Sequence, residues 1–457
     1  MRPPIPLALE SAALRAAGRL SRIAGRGGGT TLPGKLLWKL DPDAIDLLAR
    51  RLPQGSVLVS ATNGKTTTAA MVAEILRGHV AVAHNSSGAN LVSGIASTLL
   101  GAHGAELGLF EVDEAALPEV ARRVRPKALL LGNLFRDQLD RYGELEIVAA
   151  RWRAAVEELP DAELVVNGDD PQVGDLARVH GGARVFGLDD PRLARPALQH
   201  AADSKYCLRC GTPYEYAAAY VGHLGDYRCP ACGHDRPPLD VAARDIELHG
   251  LDGSSFTLHT AAGDQRVRMP LPGLYNVYNA TGAAALALTL GVPLDEAGAG
   301  LQRFAAAFGR FERIPVGDRR LLMLLIKNPA GANEAIRTLV EAEEPPRVAV
   351  VALNDAIADG RDVSWIWDVD FAPILDGLDT LVATGSRAAE LGLRAAYGGL
   401  PRTKIEVVPS LSAALDRGLE LTPPGGELTL LPTYTAMLAL RKTIASRGHV
   451  ANYWERT

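Results

Sequence analysis

The chain has 457 residues, of which 47% are hydrophobic and 22% charged, and its formal net charge is −5. This length exceeds what one ordinary core supports, so two or three domains are expected. The negative charge balance gives no electrostatic basis for nucleic-acid binding. The lack of an uncharged apolar run of ~18 residues predicts that the chain has no transmembrane helix.

Residues 1–45 are the first predicted unit, an N-terminal helical segment. Arginines and the acid Glu10 interrupt its apolar residues, so it lacks the continuous apolar core of a secretory signal peptide. The pattern predicts an amphipathic helix that runs into the glycines Gly27–Gly29. Such a helix can lie on a membrane surface or pack on the body of the protein, and both possibilities stay open.

A strand predicted at Gly55–Ser60 is followed by ATNGKTTT and then by a helix. Backbone N–H groups at such a helix start point towards anions, and Gly64 permits the close approach of a phosphate. Lys65 is then expected to contact terminal phosphates and Thr66 to bind Mg²⁺. A plain surface loop is the alternative for GKT by itself, but the flanking strand and helix favour a nucleotide site.

Apolar strands and helical stretches alternate after this loop, which is typical of βαβ units and a mostly parallel sheet. Residues 204–234 interrupt the alternation. Two segments with the period of antiparallel strands follow at 245–260 and 265–273, and a helix is predicted in YNVYNATGAAALALTLG. After about residue 313 a second α/β alternation begins, which predicts a Rossmann-like C-terminal domain.

The interrupting segment contains every cysteine of the chain in two C-x-x-C pairs: Cys207, Cys210, Cys229 and Cys232. Four thiolates at this spacing satisfy tetrahedral Zn²⁺ without an open position, which indicates a structural zinc ribbon. A redox dithiol pair and an iron–sulfur centre are the alternatives, and His234 is expected to be a bystander. If all four cysteines bind metal, no thiol remains for a cysteine-based glutaminase in this chain.

An acidic stretch, NDAIADGRDVSWIWD, follows a strand predicted at Val348–Leu353. It therefore lies at the carboxyl end of a strand, where open α/β sheets usually form their sites. The stretch contains four aspartates but no Cys, His or Lys: Asp355, Asp359, Asp362 and Asp368. Helix caps or solvated loop charges explain Asp355 and Asp359 well, and a structural role is expected for Asp368.

Several segments in order resemble motifs of the Mur ligase family, which includes the muramyl peptide synthetases and folylpolyglutamate synthetase. The matching segments span roughly 55–200 and 240–450 and are TNGKTTT, LFEVDEAAL, NLFRDQLDR, VVNGDDP, GLYNVYNATGA and GRFER. The resemblance implies a Mur-ligase-like ATP-binding domain at 46–312, with the zinc ribbon at 204–234 as an insertion, and a C-terminal domain at 313–457.

The resemblance also implies roles for individual residues. The residues implied to bind ATP in the loop are Thr62, Asn63, Gly64, Lys65, Thr66 and Thr67. Glu111 stands at the position of a Mg²⁺-binding glutamate, Asn279 at that of an adenine contact, and Arg310 at that of a contact to the ATP phosphates.

Several departures from the family pattern restrict the resemblance to one branch of the family. Gln138 replaces a metal-binding histidine, no lysine occurs between Lys127 and Lys205 to be carbamoylated, and LLIKNPAGAN lacks the acid of the usual loop. Together with the cysteine insertion and the acidic stretch, these features resemble one branch of the family, the synthetase subunits of lipid II isoglutaminyl synthase. These subunits work with a GatD-like class I glutamine amidotransferase.

This branch implies ATP-dependent amidation of the D-glutamate α-carboxyl of lipid II, in the cytoplasm at the inner face of the membrane. It also implies that Asp362 completes a Cys-His-Asp arrangement with the cysteine and histidine of the partner. An autonomous Mur-type or folylpolyglutamate-type ligase is the alternative function. A non-catalytic ATP-binding scaffold is the alternative of a different class, and Lys65, Thr66 and Glu111 argue against it.

Overall fold

The computed structural model describes residues 32–85, 88–137, 144–199, 202–304 and 311–450. The predicted N-terminal amphipathic helix, Gln138 and Arg310 lie outside these ranges. Among the described residues, none of the helices combines the length and the hydrophobicity that a membrane span requires.

The described strands form three sheets. The strands are β1 (Ser56–Ser60), β2 (Val82–His84), β3 (Leu107–Val112), β4 (Ala128–Leu131), β5 (Glu163–Asn167), β6 (Arg184–Leu188), β7 (Glu215–Val221), β8 (Leu224–Arg228), β9 (Val241–Leu248), β10 (Ser254–Thr260), β11 (Gly263–Met269), β12 (Glu312–Val316), β13 (Arg319–Met323), β14 (Val348–Ala352), β15 (Thr380–Thr384), β16 (Ile405–Val407) and β17 (Glu427–Pro432).

The described α-helices lie mainly on the faces of the two larger sheets. They are α1 (Leu32–Leu40), α2 (Ala44–Ala49), α3 (Lys65–Ile75), α4 (Val92–Gly101), α5 (Leu117–Val124), α6 (Leu145–Glu157), α7 (Pro171–His180), α8 (Leu274–Thr289), α9 (Leu294–Arg303), α10 (Pro329–Val340), α11 (Ala372–Leu375), α12 (Ala388–Tyr397), α13 (Leu411–Leu421) and α14 (Tyr434–Ser446).

The first sheet has the strand order β11-β10-β9-β6-β5-β4-β1-β3-β2. Its strands from β9 to β2 are parallel, while β10 and β11 add antiparallel pairs at one edge. The predicted βαβ and antiparallel regions are both confirmed. Strand β1 is buried throughout because helices cover both faces: Val57 and Val59 join the apolar cluster with α3, and Leu58 joins the opposite cluster.

The second sheet has the order β12-β13-β17-β14-β15-β16, and all its pairs are parallel except β12 with β13. Apolar clusters lie on both faces, as expected for the predicted Rossmann-like arrangement. Strand β14 ends at Ala352, so the acidic stretch begins where the sequence placed it, just beyond the carboxyl end of a central strand. The third sheet is the β7–β8 hairpin, which lies between the two cysteine pairs.

Candidate active site

The predicted phosphate loop joins the carboxyl end of β1 to the start of α3. Gly64 is the N-cap of α3 and has a φ of +85°, a conformation that favours glycine. A Cβ at this position would lie 1.9 Å from Asn279 Oδ1, so the glycine makes room for the Asn279 side chain of α8. The structure therefore brings the predicted phosphate loop and the predicted adenine contact together. Asn279 is held in place because its amide donates to Asn276 Oδ1 at 3.1 Å.

Lys65 is buried directly behind the loop. Its Nζ donates to Glu114 Oε2 at 2.9 Å and to the carbonyl of Ala61 at 3.1 Å. Burial by itself would lower the pKa of Lys65, but the carboxylates of Glu114, Asp113 and Glu111 outweigh it and raise that pKa above its ordinary value. The ammonium therefore stays charged at neutral pH, as a group that contacts phosphate must.

Glu111, at the end of β3, is arranged to bind a hard cation. Its Oε1 accepts hydrogen bonds from Thr66 Oγ1 at 2.8 Å and from Asn90 Nδ2 at 3.3 Å. Its Oε2 is buried and accepts none from the described residues. Carboxylate and hydroxyl oxygens are the ligands that Mg²⁺ prefers, so this donor set fits the ion that the sequence predicts.

Three further charged residues of the site lie within the motifs, but no role was predicted for them: Glu114, Asp137 and Lys327. Lys327 belongs to the segment after β13, and its Nζ lies 2.6 Å from Asp137 Oδ2 in the segment after β4. Burial and the charge of Glu114 raise the pKa of Asp137 despite this ion pair. The signal that could have identified these residues is their place in the motifs: Asp137 lies in NLFRDQLDR and Lys327 in LLIKNPAGAN.

Asn63 joins the phosphate loop to the second sheet. Its amide and that of Asn328 exchange hydrogen bonds, Asn63 Nδ2 to Asn328 Oδ1 at 3.3 Å and Asn328 Nδ2 to Asn63 Oδ1 at 3.0 Å. Asn328 also caps α10 through Gly331 N. The backbone of Asn63 is braced by the side chain of Asn133. The sequence predicted a nucleotide contact at Asn63, and the structure adds a contact between the phosphate loop and the start of α10.

A pocket lies where the loop, α8 and the start of α10 meet. Polar groups line the end of the pocket at the loop, and among them are Asn63, Gly64, Thr67 and Lys327. The rest of its lining is mostly apolar and aromatic, although it also contains Asn276, Asn279 and Glu334. The apolar and aromatic residues include Phe135, Val221, Leu224, Leu271, Tyr275, Tyr278 and Phe311. A charged, N–H-rich end next to an apolar cavity suits a nucleoside triphosphate, with phosphates at the loop and the base beyond.

The four cysteines form a second candidate site. Their Sγ atoms all lie within 4.8 Å of one another, and Gly211 and Gly233 turn the backbone after each pair with positive φ. His234 lies outside this cluster because its ring contacts Tyr214 Oη at 2.7 Å and Asp175 Oδ1 at 3.1 Å. The predicted four-thiolate site is therefore assembled, and its donor set fits zinc.

The aspartates of the acidic stretch have different surroundings. Asp359 is buried and accepts a hydrogen bond from the backbone of Thr435 at the start of α14, so it caps that helix. Asp355 Oδ1 accepts a hydrogen bond from Ser386 Oγ at 2.7 Å. Asp368 Oδ2 lies 3.7 Å from Arg136 Nη1, in the segment after β4.

Asp362 is exposed in the same stretch. It accepts a hydrogen bond from the backbone N–H of Ser364 at 2.8 Å, which lowers its pKa below the ordinary value. A solvent-facing, ionised carboxylate is what a role towards another chain requires.

Comparison with known proteins agrees with this geometry. The model of the MurT ligase C-terminal region matches residues 325–437, and that of the Mur ligase middle domain matches residues 59–209. Lipid II isoglutaminyl synthase (glutamine-hydrolyzing) subunit MurT of Streptococcus pneumoniae is 34% identical over 434 residues, which cover 94% of both chains. The chain belongs to the MurT family.

A second MurT subunit, from Staphylococcus aureus, is 32% identical and covers 82% of this chain and 84% of its own. The structure of a pseudomurein peptide ligase type C from Methanothermus fervidus superposes with a TM-score of 0.69 at 22% identity, over 88% of this chain and 80% of that one. This structural likeness shows the Mur-ligase fold. As a member of the MurT family, the chain is an ATP-dependent ligase, and the family implies ATP and Mg²⁺.

Proposed function

We propose that this chain is the synthetase subunit of a lipid II isoglutaminyl synthase. In this role it amidates the α-carboxyl of D-glutamate in the stem peptide of lipid II, using ATP and ammonia from a GatD-like glutaminase partner. The observation that carries the proposal is the likeness to the S. pneumoniae MurT subunit, which extends over 94% of both chains.

The chemistry follows from the low reactivity of a carboxylate. A carboxylate oxygen attacks the γ-phosphorus of ATP, which forms an acyl phosphate and releases ADP. Ammonia then attacks the acyl carbon, the C–O bond breaks, and inorganic phosphate leaves with the bonding electron pair while a proton is lost from nitrogen. The products are the carboxamide, ADP and phosphate.

The described residues support the first of these steps. Lys65 is held by Glu114 with its charge intact, where it can offset charge on the transferring phosphoryl group. Thr66 and Glu111 would hold Mg²⁺, which when bound neutralises phosphate charge. Lys327, which follows β13 and pairs with Asp137, adds a second cation, in the lining of the pocket.

Glutamine hydrolysis must be carried out by another chain. All four cysteines lie in the metal cluster, so no thiol is left in this chain for a nucleophile. The ionised carboxylate of Asp362 faces solvent, so it is available to a partner chain. In a triad with a histidine of the partner, such a carboxylate would fix the histidine tautomer and stabilise the imidazolium.

The proposed acceptor also sets the place of the reaction. Because lipid II is held in the membrane by its lipid tail, the chain would act in the cytoplasm at the inner membrane face, where its substrate positions it.

The experiment that tests the function offers one acceptor with different nitrogen donors. The chain is incubated with lipid II, MgATP and either an ammonium salt or one of the amino acids, and lipid II is analysed by mass spectrometry. Carboxamide formation with ammonium, and no product with amino acids, is expected. An amino-acid adduct would instead establish an autonomous Mur-type ligase and refute the proposal.

A further inference from the structure

The hairpin of the cysteine insertion reaches the pocket beside the phosphate loop. Val221 ends β7 and Leu224 begins β8, and the two residues are paired across the turn Gly222–His223. Both side chains are buried, and both line the same pocket as Gly64 and Asn279. The insertion therefore contributes to this pocket as well as enclosing a metal site.

Close contact with Phe135 fixes the position of this turn. Gly222 has a φ of +59°, and a Cβ there would lie 2.7 Å from Phe135 Cε1. The His223 ring packs on the Phe135 ring with their centroids 4.6 Å apart. Since the backbone N–H of Phe135 donates to Thr62 Oγ1 at 3.1 Å, a single residue connects the turn to the phosphate loop.

The other side of the turn is attached to the first sheet and to the hairpin itself. His223 is fully buried, and its Nε2 lies 3.4 Å from Asp170 Oδ2. Asp170 caps α7. Tyr216 Oη of β7 donates to the carbonyl of His223 at 2.9 Å. Contacts on both sides hold the turn in place, and the side chains of Val221 and Leu224 line the pocket next to it.

We infer that Val221 and Leu224 form a wall for the purine base of the nucleotide. The inference rests on the proposed function, in that it takes the pocket to hold ATP. The phosphates belong at the N–H groups of Gly64 and Lys65, so the apolar part of the pocket receives the base. Aliphatic side chains pack well on the face of a base, and excluding water from it favours binding.

Binding of two nucleotides tests the inference. ATP and ADP share the base, so shortening either wall residue should raise both dissociation constants by the same factor. For Leu224→Ala that factor should be about 5 or more, since several apolar contacts are lost. Lys65→Ala should weaken ATP more than ADP, because it acts on the terminal phosphates.

Two further variants keep the result decisive. Leu208→Ala makes the same substitution at a more exposed site in the insertion and should leave both affinities unchanged. If Leu224→Ala loses its metal or unfolds, Val221→Ala is measured in its place. Unchanged affinities in the wall variants, or a loss confined to ATP, would overturn the inference. If the unchanged protein binds neither nucleotide, the proposed function itself fails.

Discussion

At the scale of single residues, Glu111 uses one carboxylate oxygen for hydrogen bonds and leaves the other without a partner among the described residues. Glu111→Gln keeps the shape and removes the charge. The concentration of Mg²⁺ needed for half-maximal ATP hydrolysis should therefore rise by roughly 10-fold or more.

The matched control for this change is Glu163→Gln. Glu163 is an exposed carboxylate at the opposite end of the same sheet, where β5 begins. Its replacement should leave the Mg²⁺ requirement unchanged. An equal Mg²⁺ requirement in Glu111→Gln and the unchanged protein would exclude Glu111 as a ligand.

His84, at the end of β2, gives a pH-dependent prediction. Burial lowers its pKa below the ordinary value although Glu111 opposes the effect, and its Nε2 has no partner among the described residues. Below about pH 6.5, His84 becomes protonated in the unfolded chain but stays neutral to a lower pH in the folded chain. The contribution of His84 to stability is therefore complete above that pH and falls as the pH is lowered, with a slope of at most ~1.4 kcal/mol per unit.

Unfolding by urea at pH 5, 6, 7 and 8 measures this contribution. His84→Asn should lose stability less steeply than the unchanged protein between pH 7 and 5, and the two should have parallel profiles above pH 7. Parallel profiles over the whole range would show that His84 titrates alike in both states.

At the scale of elements, we expect the cysteine insertion to need a bound metal for its stability, because its own apolar cluster is small. Cys210→Ser should abolish stoichiometric zinc binding. A loss of about 2 kcal/mol in the free energy of unfolding would lower the Tm by roughly 4–8 °C for a domain of about 150–250 residues. Metal analysis and calorimetry check both effects.

A neighbouring substitution serves as the control for the metal site. Thr212→Ser keeps all four thiols and should retain the metal. Iron in place of zinc in the unchanged protein would contradict the structural zinc site. A metal-free Cys210→Ser variant whose Tm equals that of the unchanged protein would contradict it as well.

The elements themselves were largely predictable from local patterns. Buried apolar runs followed by helical periodicity predicted the parallel strands, and the alternation at 245–260 predicted the antiparallel edge. The spacing of the cysteines predicted their cluster, because two knuckles of this kind bring four thiolates together. Each of these signals lies within one short stretch of the chain, so no knowledge of the tertiary fold was needed.

Contacts between distant segments were not predictable. Lys327 meets Asp137 across 190 residues, and Asn63 meets Asn328 across 265. The approach of the hairpin turn to Phe135 is of the same kind. Each contact depends on how the two larger sheets and the insertion are placed, which neither periodicity nor motif spacing specifies in a single sequence.

At the scale of the whole molecule, ATP chemistry and glutamine hydrolysis belong to different parts of the proposed assembly. The phosphate loop lies at the first sheet, whereas Asp362 lies on an exposed loop of the second. Asp362→Ala in the complex with the partner should therefore reduce glutaminase activity by roughly 100-fold or more, as in other triads. Amidation driven by added ammonia should be retained.

Asp379→Ala is the matched control for this change. Asp379 is exposed and precedes β15, so it lies at the amino-terminal ends of the strands, opposite to Asp362. It forms an ion pair with Arg347. Its removal should leave both activities unchanged. Full glutaminase activity in Asp362→Ala would refute the role of Asp362 in the partner's site.

The most direct measurement of the central claim follows one nitrogen atom. The chain and a GatD-like amidotransferase are incubated with lipid II, MgATP and glutamine labelled with nitrogen-15 in its side-chain amide. The expected result is labelled D-isoglutamine in lipid II, with one ADP formed for each amide. Lipid II that remains unamidated while ATP and glutamine are consumed, or a product that contains an added amino acid, would contradict the account.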